Sequence, residues 1–190
     1  IGCLYYFEGE WRHSARWPHE GVVLAGKRVG VIGTGSTGIQ LVPQLAEQAE
    51  HLYVFQRTAN FSMPAHNRSL DPDVRAAIKA SYRERRRLAR ESLSGVPGSH
   101  PDVLPQRSAL EVAPEDRVQA YERGWAAGGI GGITLAFNDI ITNAEANGTA
   151  ADFVRDKIRT IVRDPVTADA LCPTTHPIGT KRICVDTDYF

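Results

Sequence analysis

The chain has 190 residues, of which 42% are hydrophobic and 23% are charged, as in an ordinary globular protein of one domain with room for an insertion. Its 22 basic residues equal its 22 acidic residues, and this zero net charge argues against nucleic acid or an anionic membrane as the main partner. The longest run of apolar character, residues 128–137, is too short and too rich in glycine to span a bilayer.

The cysteines indicate the redox compartment of the protein, and the two ends of the chain indicate that it belongs to a longer polypeptide. Cys3, Cys172 and Cys184 are widely spaced and odd in number, which predicts reduced thiols in the cytoplasm, without a disulfide framework or a metal site. The chain opens on Ile1 without an initiator methionine and closes on strand-like residues. We therefore expect it to be the middle of a longer polypeptide.

The first part of the chain has the pattern of a strand, a helix and a second strand. Residues 1–26 show little periodicity and are expected to form a connecting segment. A strand is predicted at 28–32, and apolar residues then recur at helical spacing from Ile39 to Ala49. A short aromatic and β-branched run at 51–55 predicts the second strand. Together these elements form a βαβ unit with a parallel sheet.

The composition from residue 67 to residue 171 favours helices and loops. Asp71 and Pro72 are expected to begin the first helix of this segment. The apolar face of that helix is predicted to carry Val74, Ile78, Tyr82 and Leu88. Further helices are predicted at 108–125, 133–147, 149–162 and 165–171, and Ala113-Pro114-Glu115 indicates a helix start inside the first of these. Strand character returns at 180–186.

A glycine pattern of the form G-x-G-x-x-G joins the first strand to its helix. Its first glycine permits a tight turn, its second lets a pyrophosphate approach the backbone, and its third lets the helix pack closely on the strand. A helix start also offers free N–H groups and a partial positive charge. Because the pattern follows a strand and opens a helix, it predicts a dinucleotide site. The predicted contacts are Gly33, Thr34, Gly35, Ser36, Thr37, Gly38 and Gln40.

The end of the second strand indicates which dinucleotide binds. An NAD-binding unit would carry Asp or Glu there, but this chain carries Gln56, Arg57 and Thr58. A carboxylate would repel a 2′-phosphate, whereas a guanidinium binds it through two charge-assisted hydrogen bonds. Arg57 and Thr58 therefore indicate NADP, and the alternative is a solvent-facing arginine at a strand end.

These elements predict an α/β fold, namely a Rossmann-like, three-layer NADP-binding domain with a mostly helical insertion. The NADP-binding domain is expected to comprise residues 27–66 and 172–190, and the insertion residues 67–171. Residues 1–26 are expected to be an inter-domain linker.

A second pattern lies in that linker and follows neither a helical nor a strand period: Phe7-x-Gly9-x-x-x-His13-x-x-x-Trp17-Pro18. It resembles the fingerprint of the Baeyer–Villiger monooxygenases, flavoenzymes that insert oxygen beside a carbonyl. The resemblance covers nearly the whole chain, with matching segments at 26–32, 55–58, 157–159 and 179–182. It is weakest in the helical insertion and at Ala59-Asn60, where the family has proline followed by a variable residue.

The resemblance implies roles for individual residues. The fingerprint residues are Phe7, Gly9, His13 and Trp17. Within the fingerprint, His13 would couple the motions of a flavin domain and the NADP domain. Lys181 would join Arg57 and Thr58 around the NADP ribose and its 2′-phosphate. Arg182 would be the catalytic arginine beside the flavin, where a fixed cation stabilises negative charge that develops during oxygen insertion.

The resemblance also implies the chemistry of the longer protein. NADPH reduces FAD, the reduced flavin activates O2, and one oxygen atom enters a small-molecule ketone to give an ester or lactone. The chain has one glycine fingerprint where the family has two, so FAD is expected to bind mainly to a domain outside it. We expect the isolated chain to bind NADP weakly and to lack oxygenase activity.

Three alternatives stay open at this stage. The first is a flavin-containing monooxygenase that oxidises nitrogen or sulfur, for example in a sulfide. Those enzymes carry Tyr or Phe where this chain has Trp17. A non-catalytic NADP-binding module is the second alternative. The third is a nucleic-acid-binding helix at residues 83–90, which is disfavoured because Glu84 and Glu91 interrupt its arginines and the net charge is zero.

Overall fold

A computed structural model of the protein describes residues 6–190 and contains 43% helix and 9% strand. The strands are β1 (Arg28–Ile32), β2 (His51–Phe55), β3 (Ser62–Pro64) and β4 (Cys184–Asp186). The helices are α1 (Ser36–Ala46), α2 (Pro72–Ala80), α3 (Tyr82–Glu91), α4 (Pro114–Ala127), α5 (Gly131–Thr134), α6 (Ala144–Ile161) and α7 (Pro165–Leu171). Cys3 lies outside the described residues.

The predicted βαβ unit is confirmed. β1 and β2 pair in parallel, with Arg28 opposite His51 at one end and Ile32 opposite Phe55 at the other. Helix α1 connects the two strands and packs on one face of the pair through a small core that includes Val31 and Leu45. This packing holds the start of α1 beside the carboxyl ends of both strands.

A second two-stranded sheet joins distant parts of the chain. β3 and β4 pair in parallel, and Ser62 lies opposite Cys184. β4 is shorter than the strand predicted at 180–186. Gly179 has a φ of 92° in the turn before this segment, and residues 180–183 lie outside the ladder.

The larger hydrophobic core lies beside this second sheet. Phe61 and Met63 belong to it together with Tyr121 of α4 and Ile158 of α6, and each of these four side chains is at most 1% exposed. Residues assigned to the NADP-binding domain therefore share a core with the helical insertion at 67–171. The boundaries between these units stay a prediction.

The helix predicted at 108–125 begins later than expected. Residues 108–113 form turns because the carboxylate of Asp139 accepts hydrogen bonds from Ser108 Oγ at 2.6 Å and from Ala109 N at 2.9 Å. These bonds give the backbone an alternative to the helix, so α4 begins only at Pro114.

The helix predicted at 133–147 is wrong over most of its length, whereas the one predicted at 149–162 is helical but begins earlier, at Ala144. The structure instead has the short α5 and one long helix, α6. Asn143 begins α6 because its Oδ1 accepts hydrogen bonds from Glu145 N at 2.9 Å and Ala146 N at 3.2 Å. Gly148 lies inside α6 without breaking it, since the buried face of the helix supplies its stability.

The helix predicted after Asp71 is two helices on the surface. Asp71 caps α2 as predicted, since its Oδ1 accepts from Asp73 N at 2.8 Å and from Val74 N at 3.3 Å. The expected apolar face is not buried, because Val74 is 49% and Tyr82 is 57% exposed. Ser81 interrupts the predicted helix and separates α2 from α3. The final helix, α7, has the bounds that the sequence predicted.

Asn147 ties the loop before β4 to the helical core. It is 7% exposed, and its Nδ2 donates to Ile140 O at 2.9 Å and to Ile178 O at 2.8 Å. Its Oδ1 accepts from Ile178 N at 3.1 Å. One buried amide therefore satisfies three backbone groups that have no other side-chain partner within residues 6–190.

The substitution Asn147→Ala should lower the free energy of unfolding by about 2–4 kcal/mol, because it leaves buried backbone groups without hydrogen-bond partners. Urea denaturation followed by circular dichroism measures this loss. The matched control is Asn138→Ala, an exposed asparagine, for which a change below about 0.5 kcal/mol is expected. Equal values for the two variants would contradict the assignment.

Candidate functional site

The glycine turn between β1 and α1 leaves the start of the helix open. Gly35 precedes α1 with a φ of −82° and a ψ of −178°, and no side chain among residues 6–190 caps the helix start. A Cβ atom added to Gly35 would meet no heavy atom within 4 Å. The N–H groups of the first turn therefore have no side-chain partner within residues 6–190, and the space beside them is free.

The other two glycines of the turn fix its shape. Gly33 has a φ of 100°, in the left-handed region that favours glycine, and its N–H donates to Phe55 O at 2.9 Å. A Cβ atom on Gly38 would overlap the carbonyl oxygen of Gly33, so the helix packs directly on the turn. Both glycines hold the helix start in place, as the sequence predicts.

The threonines of the turn differ in what their hydroxyl groups can do. Thr34 is only 6% exposed, and its Oγ1 donates to Thr58 O at 3.3 Å. Its hydroxyl therefore links the turn to the chain after β2. Thr37 is exposed, and its side chain makes no hydrogen bond within residues 6–190. Of these two hydroxyl groups, only that of Thr37 is available to an external group.

Two side chains of α1 connect the helix to β4. Ser36 Oγ donates to Cys184 Sγ over 3.7 Å, and Gln40 Nε2 donates to Val185 O at 3.1 Å. The predicted contacts Ser36 and Gln40 therefore already have partners in the protein. These bonds bring the glycine turn next to the segment that follows Lys181.

The chain after Arg57 runs beside the chain after Lys181. Asn60 Nδ2 donates to Arg182 O at 3.1 Å, and Cys184 N donates to Phe61 O at 2.9 Å. The structure thus brings together three sequence-predicted groups: the glycine turn, the Arg57–Thr58 segment and the Lys181–Arg182 segment.

Three cations of this region lack counter-ions. Arg57, Lys181 and Arg182 are all exposed, and none forms an ion pair within residues 6–190. A group of uncompensated cations beside an uncapped helix start favours the binding of an anion with more than one charged group.

The arginines of α3 are different. Arg87 contacts Glu84 at 2.6 Å and Glu91 at 2.5 Å, which neutralises the centre of the run. Its neighbours are solvent-exposed on a helix that buries no residue. This arrangement fits a solvated helix face better than a nucleic-acid-binding one.

A half-buried histidine and a buried aspartate lie near these segments. Burial, together with the charges of Lys181 and Arg155, lowers the pKa of His176, so this imidazole is neutral near pH 7. Burial raises the pKa of Asp186, although Ser62 Oγ donates to its Oδ2 at 2.5 Å. Neither group could be identified from the sequence, because burial depends on contacts between distant parts of the chain.

Asn60 and Cys184 are further residues that the sequence did not predict to belong to the site. Asn60 Nδ2 contacts Cys184 Sγ at 3.1 Å as well as Arg182 O. The only sequence signal was that Ala59-Asn60 replaces the expected proline and variable residue. Cys184 and Cys172 are both buried and form no disulfide within residues 6–190, and burial raises the pKa of the Cys172 thiol.

The segment that carries the fingerprint residues is exposed and precedes β1. Phe7, Trp11 and Trp17 are 58%, 52% and 37% exposed. His13 begins a short 3-10 turn at Ser14–Arg16, and its Nδ1 accepts from Ala15 N at 3.1 Å. Gly9 lies against the Phe7 ring, where a Cβ atom would come within 2.7 Å of it.

Residues 6–190 contain neither a candidate metal site nor a membrane-spanning helix. No group of three or more His, Cys, Asp or Glu side chains in that range is arranged to hold a metal ion. None of the helices there is long and apolar enough to cross a bilayer.

The chain is similar to known monooxygenases. It is 38% identical to cyclohexanone 1,2-monooxygenase of Acinetobacter, over 100% of this chain and 34% of the relative. It is 40% identical to a Baeyer–Villiger monooxygenase of Pseudooceanicola batsensis, over 88% of this chain and 30% of the relative. The chain thus spans about a third of the length of these relatives.

Solved structures are similar as well. An oxidized steroid monooxygenase bound to NADP matches 92% of this chain and 32% of its own, with a TM-score of 0.83 and 53% identity. OTEMO in complex with FAD and NADP matches 98% of this chain and 35% of its own, with a TM-score of 0.89 and 36% identity. No family model matches the chain.

The substitution Gly38→Ala should lower the free energy of unfolding by about 1–3 kcal/mol, because its Cβ overlaps the Gly33 carbonyl. Gly35→Ala should change it by less than about 0.5 kcal/mol, since its backbone angles suit alanine and the space is open. Gly148→Ala, inside α6, should raise it by about 0.5–1 kcal/mol. Urea denaturation measures all three, and equal effects at Gly35 and Gly38 would contradict the geometry.

Proposed function

Because the chain belongs to the Baeyer–Villiger monooxygenase family, we propose that it is the NADPH-binding part of an FAD-dependent enzyme. That enzyme inserts one oxygen atom from O2 into a small-molecule ketone and releases an ester or lactone. The chain spans about a third of its relatives, so the activity is assigned to a longer polypeptide. In this proposal, residues 27–66 and 172–190 form a Rossmann-like domain and residues 67–171 its helical insertion.

The observation that carries the proposal is the uncapped start of α1, tied by hydrogen bonds to the segments that hold the unpaired cations. NADP has two anionic parts, a pyrophosphate and a 2′-phosphate. The N–H groups beside Gly35 fit the pyrophosphate, and the exposed charges of Arg57 and Lys181 fit the 2′-phosphate.

The other predicted contacts divide by how their side chains are engaged. The hydroxyl groups of Thr37 and Thr58 are available to the phosphates, and Gly33 and Gly38 shape the turn. The side chains of Thr34, Ser36 and Gln40 are already hydrogen-bonded inside the protein. They contribute through their backbone and by holding the turn against its neighbours.

Arg182 is the proposed catalytic residue of this chain. When bound, NADPH supplies the hydride and the flavin supplies the oxygen chemistry. Arg182 has an exposed guanidinium without an ion-pair partner within residues 6–190, so its charge is free to stabilise negative charge that develops on the reacting oxygen atoms. The flavin is held mainly by a domain outside this chain.

The fingerprint segment has a separate part in the proposal. In residues 1–26, the Nδ1 atom of His13 is engaged with Ala15 N, which leaves Nε2 for a contact with the flavin domain. Such a contact would couple domain movement to cofactor binding, with Phe7, Gly9 and Trp17 shaping the linker. A cytoplasmic location belongs to the proposal and is supported by the unpaired thiols of Cys172 and Cys184.

The polypeptide that contains this chain should oxidise NADPH in the presence of O2 and a cyclic ketone, with one lactone formed per NADPH consumed. Mass spectrometry of the product and NADPH absorbance measure both quantities. The 190-residue chain alone should bind NADP+ weakly and form no lactone. Oxidation of sulfides without any ketone oxygenation would favour the nitrogen- and sulfur-oxidising alternative. NADP+ binding without either activity would favour a non-catalytic module.

Replacing Arg57 by alanine should raise the KM for NADPH by about 10–100-fold and change kcat much less, because a charge-assisted bond to the 2′-phosphate is lost. The KM for NADH should stay within about twofold, since NADH lacks that phosphate. The matched control is Arg163→Ala, an exposed arginine without an ion pair within residues 6–190. An unchanged KM for NADPH in Arg57→Ala would reject the assignment.

A further inference from the structure

Asn60 is held by both of its N–H donors. Its Nδ2 donates to Arg182 O and to Cys184 Sγ, each at 3.1 Å. Its Oδ1 is buried and has no hydrogen-bond partner within residues 6–190. A buried acceptor without a partner is unfavourable, so the orientation of this amide is set by its two donor bonds.

The bond to Arg182 replaces a missing ladder contact. β4 begins at Cys184, and Arg182 therefore lies outside the strand. The hydrogen bond from Asn60 is the one that the Arg182 carbonyl receives within residues 6–190. Without it, the backbone that carries this cation would be fixed only by its neighbours in sequence.

The bond to Cys184 extends the connection to the glycine turn. The Cys184 side chain is completely buried and accepts from Ser36 Oγ at 3.7 Å as well as from Asn60. Gln40 Nε2 adds a bond to Val185 O at 3.1 Å. A continuous path therefore runs from the first turn of α1 through the thiol of Cys184 and the amide of Asn60 to the backbone of Arg182.

We propose that Asn60 is a positioning residue, which fixes the backbone of Arg182 and couples it, through Cys184, to the phosphate-binding start of α1. Binding at the helix start would then order the segment that carries the catalytic cation. This inference rests on the proposed function, since it assigns Arg182 to catalysis. The coupling itself is a property of this chain and is measurable without any oxygenation.

Hydrogen–deuterium exchange of the chain with and without NADP+ tests the coupling directly. In the wild type, NADP+ should slow amide exchange at residues 33–40 and also at 181–186. In Asn60→Asp, which has the same size but no N–H donors, the protection at 33–40 should persist. The protection at 181–186 should fall about fivefold. The matched control Asn138→Asp introduces the same charge at an exposed site and should behave as the wild type.

Cys184 variants test the path through the thiol. Cys184→Ser keeps an acceptor for Asn60 and should retain most of the protection at 181–186. Cys184→Ala removes the acceptor and should lose the protection at 181–186, while the protection at 33–40 remains. Equal protection of 181–186 in both variants and in Asn60→Asp would overturn the coupling.

Steady-state kinetics of the full polypeptide test the positioning of Arg182. Asn60→Asp and Asn60→Ala should lower kcat for ketone oxygenation about tenfold and leave the KM for NADPH within about twofold. A larger share of the NADPH consumed should appear as hydrogen peroxide. Asn138→Asp should change none of these quantities.

The outcomes separate this inference from the proposed function. If Arg182→Ala abolishes oxygenation but both Asn60 variants keep kcat within about twofold of the wild type, the positioning role is wrong. A joint loss of NADP+ binding and kcat in the Asn60 variants would make Asn60 a structural residue and also overturn it. If the wild type oxygenates no ketone, the proposed function fails, and the exchange experiment still decides the coupling.

Discussion

The parallel pairing of β3 with β4 is the interaction on which the arrangement of the site depends. It joins the chain after Arg57 to the chain after Arg182 across the whole helical segment. The ladder has only three pairs of residues, which is short for a free-standing sheet. The core around Phe61 and Met63 and the side-chain bonds at both ends, from Asn60 to Arg182 O and from Ser62 to Asp186, therefore supply stability that the ladder lacks.

The presence or absence of an ion-pair partner distinguishes structural cations from candidate binding cations. Arg155 is bonded to Asp152 and to Pro173 O, and Arg159 contacts two aspartates. Arg57 and Lys181 have no ion-pair partner within residues 6–190, and they flank the same strand pairing. Keeping like charges near one another without counter-ions is unfavourable unless an anion binds between them. The proposed site for the 2′-phosphate of NADP would place such an anion between them.

Local sequence patterns were sufficient for β1, α1, β2, α7 and the cap at Asp71, because each depends on residues within one or two turns. The helix predicted at 108–125 began too early, since Asp139 holds residues 108–109 in a turn from a distance of about thirty positions. The glycine turn and its nearby cations were predicted as separate motifs. Their connection through Asn60 and Cys184 was beyond reach, because it depends on a pairing of distant strands.

One face of the β1–β2 pair exposes apolar side chains, as expected if further protein packs against it. Parallel sheets are normally covered on both faces, but α1 covers only one face of this pair. On the other face Ile32 is 79% and Phe55 is 58% exposed, and the Phe55 ring lies over Gly30. So large an apolar surface beside a proposed cofactor site favours further protein on that side. The glycine turn ends at the edge of this face, so any protein that covers the face would also border the proposed cofactor site, as hydride transfer to a flavin in the proposed enzyme would require.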